Sequence, residues 1–68
     1  MTKVNKRLGE KIRELRKKKN ITQEEFAFQA NLDYSYMNQI ENGKRNPSVE
    51  AINGIAKALG VSIKDLFS

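Results

Sequence analysis

The segment from Tyr34 to Asn42 carries uncharged polar side chains at helical spacing. They recur at i, i+1, i+4, i+5 and i+8, and they belong to Tyr34, Ser35, Asn38, Gln39 and Asn42. Met37 and Ile40 fall on the opposite side of the same helix. Amides and hydroxyls bond to base edges in the DNA major groove, which is wide enough to admit a helix. The spacing therefore predicts a helix that reads DNA bases.

The residues of this polar stripe suit different contacts with DNA. The amides of Asn38 and Gln39 match N6 and N7 of adenine, and the hydroxyl of Ser35 suits either base type. Tyr34 and Tyr36 can pack on thymine methyl groups or donate to phosphates. The alternative for both tyrosines is partial packing against the preceding helix.

Phosphate contacts are expected on both sides of the stripe. Thr22 and Gln23 open the preceding helix, where free N–H groups and the positive end of the helix dipole favour an anion. Lys44 and Arg45 follow the stripe in a loop that contains a glycine, and they can reach phosphates or a groove edge. The alternatives are that Thr22 only caps its helix and that the loop charges are only solvated.

Arg16 and Glu41 are candidates for an ion pair that ties the first helix to the end of the third. Such a pair contributes little to stability if it is exposed. It is costly to break from one side if it is buried.

The composition excludes several classes of function. The chain of 68 residues has no cysteine and no histidine, so thiol chemistry, imidazole catalysis and the usual zinc ligands are absent. We expect no cofactor and no metal. The chain also has no apolar run long enough to span a membrane and no secretory signal, which predicts a cytoplasmic protein. Its length predicts one domain, residues 1–68.

Positive charge is concentrated in the first part of the chain. The net charge is +5, and residues 1–20 carry nine basic against two acidic side chains. Residues 21–68 carry four basic against six acidic side chains. A basic face suggests a polyanion as partner, and the alternative is a solvated helix surface.

Helix-start and helix-stop signals predict five short helices and no strand. Helix 1 is expected from about Val4 to Lys19, with an apolar stripe at Leu8, Ile12 and Leu15. Gly9 within it predicts the close approach of another helix. Helix 4 is expected over about Val49–Leu59 and the last helix over about Ile63–Phe67, while Gly54 in helix 4 has no explanation at the sequence level.

Each helix start except the first follows a capping residue. These caps are Thr22, Asp33, Ser48 and Ser62. Capping boxes are expected from Thr22 to Glu25 and from Ser62 to Asp65. Apolar pairs flank three of these caps and should pack together, namely Ile21 with Phe26, Leu32 with Met37, and Val61 with Leu66. Residues suited to positive φ follow helices 2, 3 and 4, namely Asn31, Gly43 and Gly60.

Helices 2 and 3 have the features of a helix-turn-helix. Ala27 is small where the helices cross, Asn31 suits the turn, and Leu32, Met37 and Ile40 lie behind the second helix. The alternative is a helical hairpin that binds nothing. The absence of charge between Tyr34 and Gln39 favours DNA recognition, because an ordinary solvent face of a basic protein is rich in Lys and Glu.

Five segments together resemble the Cro/C1-type (XRE) helix-turn-helix family, namely residues 8–16, 21–27, 36–41, 43–48 and 55–61. The resemblance implies an all-α, compact five-helix, lambda-repressor-like domain whose third helix enters the major groove. It implies a phosphate contact at Gln23 and a structural pair between Arg16 and Glu41. It places base-reading or backbone-contacting residues at Tyr34, Ser35, Asn38, Gln39, Asn42 and Lys44.

Within that family, the chain looks like the controller proteins of restriction–modification systems. The positions matching Tyr34, Ser35, Tyr36 and Arg45 bind DNA in those proteins. Tyr34 departs from the Arg that is common there, so the operator should differ. Asn31 replaces the usual Gly of the family, and the turn should tolerate it.

One domain of this size offers few base contacts, so specific binding requires two copies on a pseudo-palindrome with half-sites roughly 34 Å apart. The resemblance implies a two-fold homodimer through the C-terminal helices. Ile55, Ile63 and Phe67 are the candidates for that interface. The alternative is intrachain core, which is expected for Leu66 and remains open for Phe67. We expect no small-molecule effector.

Two other functional classes compete with a DNA-binding regulator. One is a protein-interaction module, such as an antitoxin-like domain or an antirepressor target, in which the face of helix 3 binds protein. The other is an enzyme. Without His, Cys, a glycine-rich phosphate loop or a carboxylate pair, we expect no enzymatic activity.

Overall fold

The computed structural model describes the backbone of residues 3–68 and the side chains of residues 5–68. This part of the chain forms helices and no strand. The helices are α1 (Lys3–Lys18), α2 (Gln23–Gln29), α3 (Tyr34–Glu41), α4 (Val49–Leu59) and α5 (Ile63–Leu66). The predicted all-α, five-helix architecture is confirmed. Met1 and Thr2, which belong to the predicted domain, lie outside the described residues.

The helix starts form through the predicted caps. The Thr22 hydroxyl accepts from Glu25 N at 3.1 Å, and the Glu25 carboxylate accepts from Thr22 N at 3.0 Å, so the predicted capping box is confirmed. Asp33 accepts from Ser35 N at 3.0 Å, and Ser48 Oγ accepts from Ala51 N at 3.1 Å. Ser62 N and Oγ both donate to Asp65 Oδ2, at 3.1 and 3.0 Å.

The turns between helices use left-handed backbone at the predicted positions. Asn31, Gly43 and Gly60 have φ values of 61°, 73° and 71°. Asn20, which the sequence analysis did not single out, also has positive φ, at 62°. It follows α1, which ends at Lys18 and not at Lys19. Asparagine tolerates this region better than most residues, so Asn20 supplies the stop signal that α1 otherwise lacks.

The core lies between α1, α2, α3 and α4, and Leu66 of α5 packs into it. Its fully buried side chains include Ile12, Phe26, Met37, Ile40 and Ile55. The predicted staple residues that precede the caps lie half-buried against this core, namely Ile21, Leu32 and Val61. The apolar back of α3 is therefore the surface that holds the helix to the rest of the domain.

Two glycines allow helices to approach closely. A Cβ at Gly9 would lie 2.6 Å from the carbonyl oxygen of Glu41, which confirms the predicted close approach of another helix to α1. A Cβ at Gly54 would lie 2.6 Å from the carbonyl oxygen of Ala30. This contact between α4 and the end of α2 explains Gly54, which the sequence alone did not.

The structure corrects the predicted C-terminal surface. Ile55 is fully buried in the core, so its assignment to a dimer interface is wrong. Leu66 is also buried, as predicted. Ile63 and Phe67 remain 40% and 53% exposed, which leaves both available to a partner. α5 ends at Leu66, and Phe67 forms its C-cap.

None of the helices in residues 3–68 is both long enough and apolar enough to cross a membrane.

Candidate nucleic-acid interface

The two sides of α3 differ sharply in burial. Met37 and Ile40 are 0% and 1% exposed, because they pack into the core. On the other side, Tyr34 and Ser35 are exposed, and Asn38 is half-buried. The predicted polar stripe thus forms an outward face, which we call the α3 polar face and define by Tyr34, Ser35, Asn38, Gln39 and Asn42.

A chain of amide side chains runs along one edge of this face. Asn42 Nδ2 donates to Asn38 Oδ1 at 3.2 Å, and Asn38 Nδ2 donates to Gln23 Oε1 at 3.0 Å. Side-chain hydrogen bonds therefore join the start of α2 to the middle of α3 and to its C-cap. Each polar atom of the Asn38 amide makes one bond within the protein, which leaves one N–H and one lone pair of the oxygen for a base.

The buried carboxylate of Glu41 anchors the amide chain. Glu41 is 2% exposed and accepts from Arg16 Nε at 2.8 Å and Arg16 Nη2 at 3.1 Å. Gln23 Nε2 donates to it at 3.0 Å. Arg16 also donates to the Ile21 carbonyl at 3.0 Å, so the pair joins α1, the α1–α2 turn and the end of α3. A buried charge with this many donors is satisfied.

Arg13 is a member of the site that the sequence analysis missed. Its Nη2 donates to Asn42 Oδ1 at 2.7 Å, and its Nε lies 3.4 Å from Glu41 Oε1. The available signal was its position three residues before Arg16, which places both arginines on the same side of α1.

A second cluster lies where the loop after α3 meets the start of α4. Arg45 Nε donates to Gln39 Oε1 at 2.9 Å, and the guanidinium carbon lies 5.4 Å from the centre of the Tyr36 ring. The Tyr36 hydroxyl accepts from Ser48 N at 3.1 Å. Tyr36 is therefore half-buried against the core and bonded to the cap of α4, and its contact with DNA stays a prediction.

The remaining candidates lie at the rim of the α3 polar face. The Thr22 hydroxyl accepts from Glu25 N in the capping box. The other backbone N–H groups in the first turn of α2 remain available to an anion. Lys44 has an exposed side chain, while its backbone N donates to Gln39 O at 2.9 Å. Gly43, which precedes Lys44, has the left-handed backbone that ends α3.

Comparisons with known proteins agree with this arrangement. The helix-turn-helix family model matches residues 12–66. Control protein C.MunI of Mycoplasma sp. is 44% identical over 69 aligned positions, which span all of this chain and 93% of that protein. Control protein C.BamHI of Bacillus amyloliquefaciens is 48% identical over 59 residues, 85% of this chain and 73% of its own.

Among solved structures, the restriction-modification controller protein C.AhdI from Aeromonas hydrophila superimposes with a TM-score of 0.89. The two are 40% identical in sequence, and the match covers 91% of this chain and 94% of the other. The five-helix arrangement is thus shared by a protein of the kind that the sequence resembles.

Proposed function

Because this chain belongs to the Cro/C1-type helix-turn-helix family of DNA-binding transcription regulators, which are not enzymes, we propose that it binds DNA as a transcription regulator. It binds a pseudo-palindromic operator as a homodimer and controls a restriction–modification system. The observation that supports this most is the α3 polar face, which is uncharged, outward and held in place from behind by buried Met37 and Ile40.

In the proposed complex, α3 lies in the major groove. Ser35, Gln39 and the exposed Tyr34 then contact base edges, because they lie on the outward side of the helix. The start of α2 lies against a phosphate, where Gln23 and the first backbone N–H groups face the DNA. Lys44 and Arg45 contact the backbone or the groove edge beyond α3.

Two copies of the domain supply the specificity that one copy lacks. Ile63, the first residue of α5, and Phe67, its C-cap, are both exposed, and they form the proposed two-fold interface. The half-sites then lie about one helical turn of DNA apart, roughly 34 Å. No effector enters this proposal, so operator occupancy is set by the concentration of the protein.

The restriction–modification role follows from similarity to the control proteins named above. Tyr34 is the residue most directly tied to operator choice. A phenol cannot donate twice to guanine as an arginine does, so a site read by Tyr34 should lack that contact.

Selection of bound duplexes from a random library, at about 150 mM salt, tests the proposal. A two-fold symmetric motif with fixed half-site spacing would support it. Absence of enrichment, with binding that disappears as the salt concentration rises, would contradict it, because non-specific binding depends on phosphate charge alone. The face of α3 would then be examined for a protein partner.

A further inference from the structure

Five side chains at the edge of the α3 polar face form a closed ring of hydrogen bonds. We call this the amide ring and define it by Arg13, Gln23, Asn38, Glu41 and Asn42. We infer that Arg13 is a positioning residue for DNA binding, which fixes the direction of the three amides through Asn42 without contacting DNA itself. The inference rests on the proposed function.

The ring has only one consistent direction. A carboxylate can only accept, so the amide nitrogen of Gln23 faces Glu41, at 3.0 Å. The oxygen of Gln23 then faces the nitrogen of Asn38, and the oxygen of Asn38 faces the nitrogen of Asn42. A guanidinium can only donate, so the oxygen left on Asn42 must face Arg13, at 2.7 Å.

Arg13 and Glu41 therefore set the same direction from opposite ends. Because the amide group of Asn or Gln can reverse by rotating its last bond, each amide alone could present either oxygen or nitrogen. Loss of Arg13 would leave the oxygen of Asn42 without its charged donor. Asn42, which is exposed, would then be free to turn, and the constraint on Asn38 would weaken next.

The fixed direction determines what the ring offers to a ligand. Each amide nitrogen has two N–H groups and uses one of them inside the ring, so one N–H on each of Gln23, Asn38 and Asn42 is left over. These are donors, and they suit the acceptor oxygens of phosphates and the acceptor atoms of purine edges. The ring thus prepares a short row of donors on the side of α3 that adjoins α2.

The geometry of Arg13 fits positioning better than direct contact. Its Nε is directed to Glu41 and its Nη2 to Asn42, so two of its donor groups are used within the protein. The ammonium group of lysine carries three rotatable donors on a single nitrogen, so it cannot reproduce this planar fork. Arg13→Lys, which keeps the charge, should therefore behave like Arg13→Ala, and it remains informative if the alanine variant fails to fold.

The first test uses the free protein. Side-chain amide signals of Asn42, Asn38 and Gln23 are recorded by NMR for wild type, Arg13→Lys, Arg13→Ala and the control Lys17→Ala. Lys17 is an exposed basic residue on the same helix. Both Arg13 variants should shift all three amide signals while Lys17→Ala leaves them unchanged. Unchanged signals in folded Arg13 variants would overturn the inference.

The second test measures affinity for the selected operator over a series of salt concentrations. Arg13→Ala should bind about three- to tenfold more weakly than Lys17→Ala, the effect of losing about one hydrogen bond. The log–log salt slope of Arg13→Ala should equal that of wild type. A slope smaller by about 0.9 would mean that Arg13 neutralises a phosphate, which would overturn the inference. Equal affinity of Arg13→Ala and Lys17→Ala would mean that the ring does not affect DNA binding, which would also overturn it.

The two proposals fail in different ways. If wild type binds no duplex selectively, the proposed function is wrong. The NMR signals then still support or overturn the claim that Arg13 fixes the direction of the three amides. If wild type binds selectively and the Arg13 variants match Lys17→Ala, the proposed function stands and the inference fails.

Discussion

At the scale of single residues, Glu41 organises the polar face. Its carboxylate is almost fully buried and receives Arg16, Gln23 and Arg13. The pair with Arg16 was predictable from sequence, because the family that the sequence resembles carries a structural Arg–Glu pair at these two positions. The contacts of Arg13 were not, since no sequence pattern pairs it with Glu41 or Asn42 and the contacts depend on how α1 packs against α3.

We predict that Glu41→Ala strongly destabilises the domain. It leaves the largely buried guanidinium of Arg16 without a counter-charge, which should lower the free energy of unfolding by about 3–5 kcal/mol. A domain of this length has roughly 3–10 kcal/mol of total stability, so the loss removes a large fraction of it and should lower the urea midpoint strongly. Urea denaturation followed by circular dichroism measures this.

Glu10→Ala serves as the control, because Glu10 is exposed on α1. It should change the free energy of unfolding by no more than about 0.5 kcal/mol. Equal stability of Glu41→Ala and Glu10→Ala would show that the buried pair is not important for the fold.

Lys44 provides a second prediction at this scale. Because its exposed side chain follows α3, Lys44→Ala should weaken binding to all duplexes alike and reduce the log–log salt slope by about 0.9. Lys57→Ala on α4 removes the same charge elsewhere and should leave the slope unchanged. A change in the preferred sequence of Lys44→Ala would instead indicate base contact.

At the scale of elements, local sequence signals predicted the helix starts, whereas some contacts between helices could not be predicted. The starts of α2, α3 and α4 follow from caps whose hydrogen bonds reach only two or three residues along the chain, so the sequence determines them directly. Gly54 could not be explained from sequence, because its contact is a carbonyl on another helix. Ile55 was misassigned for a related reason: an apolar stripe does not reveal whether its partner lies in the same chain or in a second copy.

The capping box of α2 should make stability depend on pH. The pKa of Glu25 is lowered below its ordinary value of 4.5. The main cause is the hydrogen bond from the backbone of Thr22, and the hydrogen bond from the Thr22 side chain is the second cause. A carboxyl group whose pKa is lowered by folding stabilises the folded state at any pH above its ordinary pKa. This stabilisation is lost as the pH falls through the pKa of the group in the folded protein. Wild type should therefore melt above Glu25→Gln at neutral pH, and the gap should close under acidic conditions.

Melting curves by circular dichroism between about pH 7 and pH 3 check this. Glu24→Gln lies in the same first turn but outside the capping box, and its melting temperature should follow that of wild type in parallel. A gap for Glu25→Gln that persists unchanged at low pH would contradict the assigned role of the carboxylate.

At the scale of the whole molecule, the proposed function needs two copies. The structure leaves Ile63 and Phe67 exposed at the C-terminal end while Leu66 between them is buried. α5 is thereby held to the core on one side and open on the other. The sequence spacing indicated Ile63 and Phe67. The structure adds that Leu66 and Ile55 belong to the core, whereas Ile63 and Phe67 do not.

Phe67→Asp should convert the dimer to monomer. Placing a carboxylate in an apolar interface costs about 3 kcal/mol, or roughly a hundredfold in the dissociation constant. Sedimentation velocity should show the shift, and operator binding should weaken with it. Phe28→Asp is the matched control, because Phe28 is 86% exposed on α2. A Phe67→Asp protein that sediments as wild type would place the interface elsewhere.

The central claim is that the α3 polar face reads bases, and Gln39→Ala tests it most directly. Library selections are run in parallel for wild type, Gln39→Ala and Gln29→Ala, the last removing an exposed glutamine from α2. We predict that Gln39→Ala loses preference at one or two symmetric base pairs, at about 1–3 kcal/mol each, while Gln29→Ala selects the wild-type motif. Identical motifs and affinities for all three proteins would contradict the docking of α3 in the major groove.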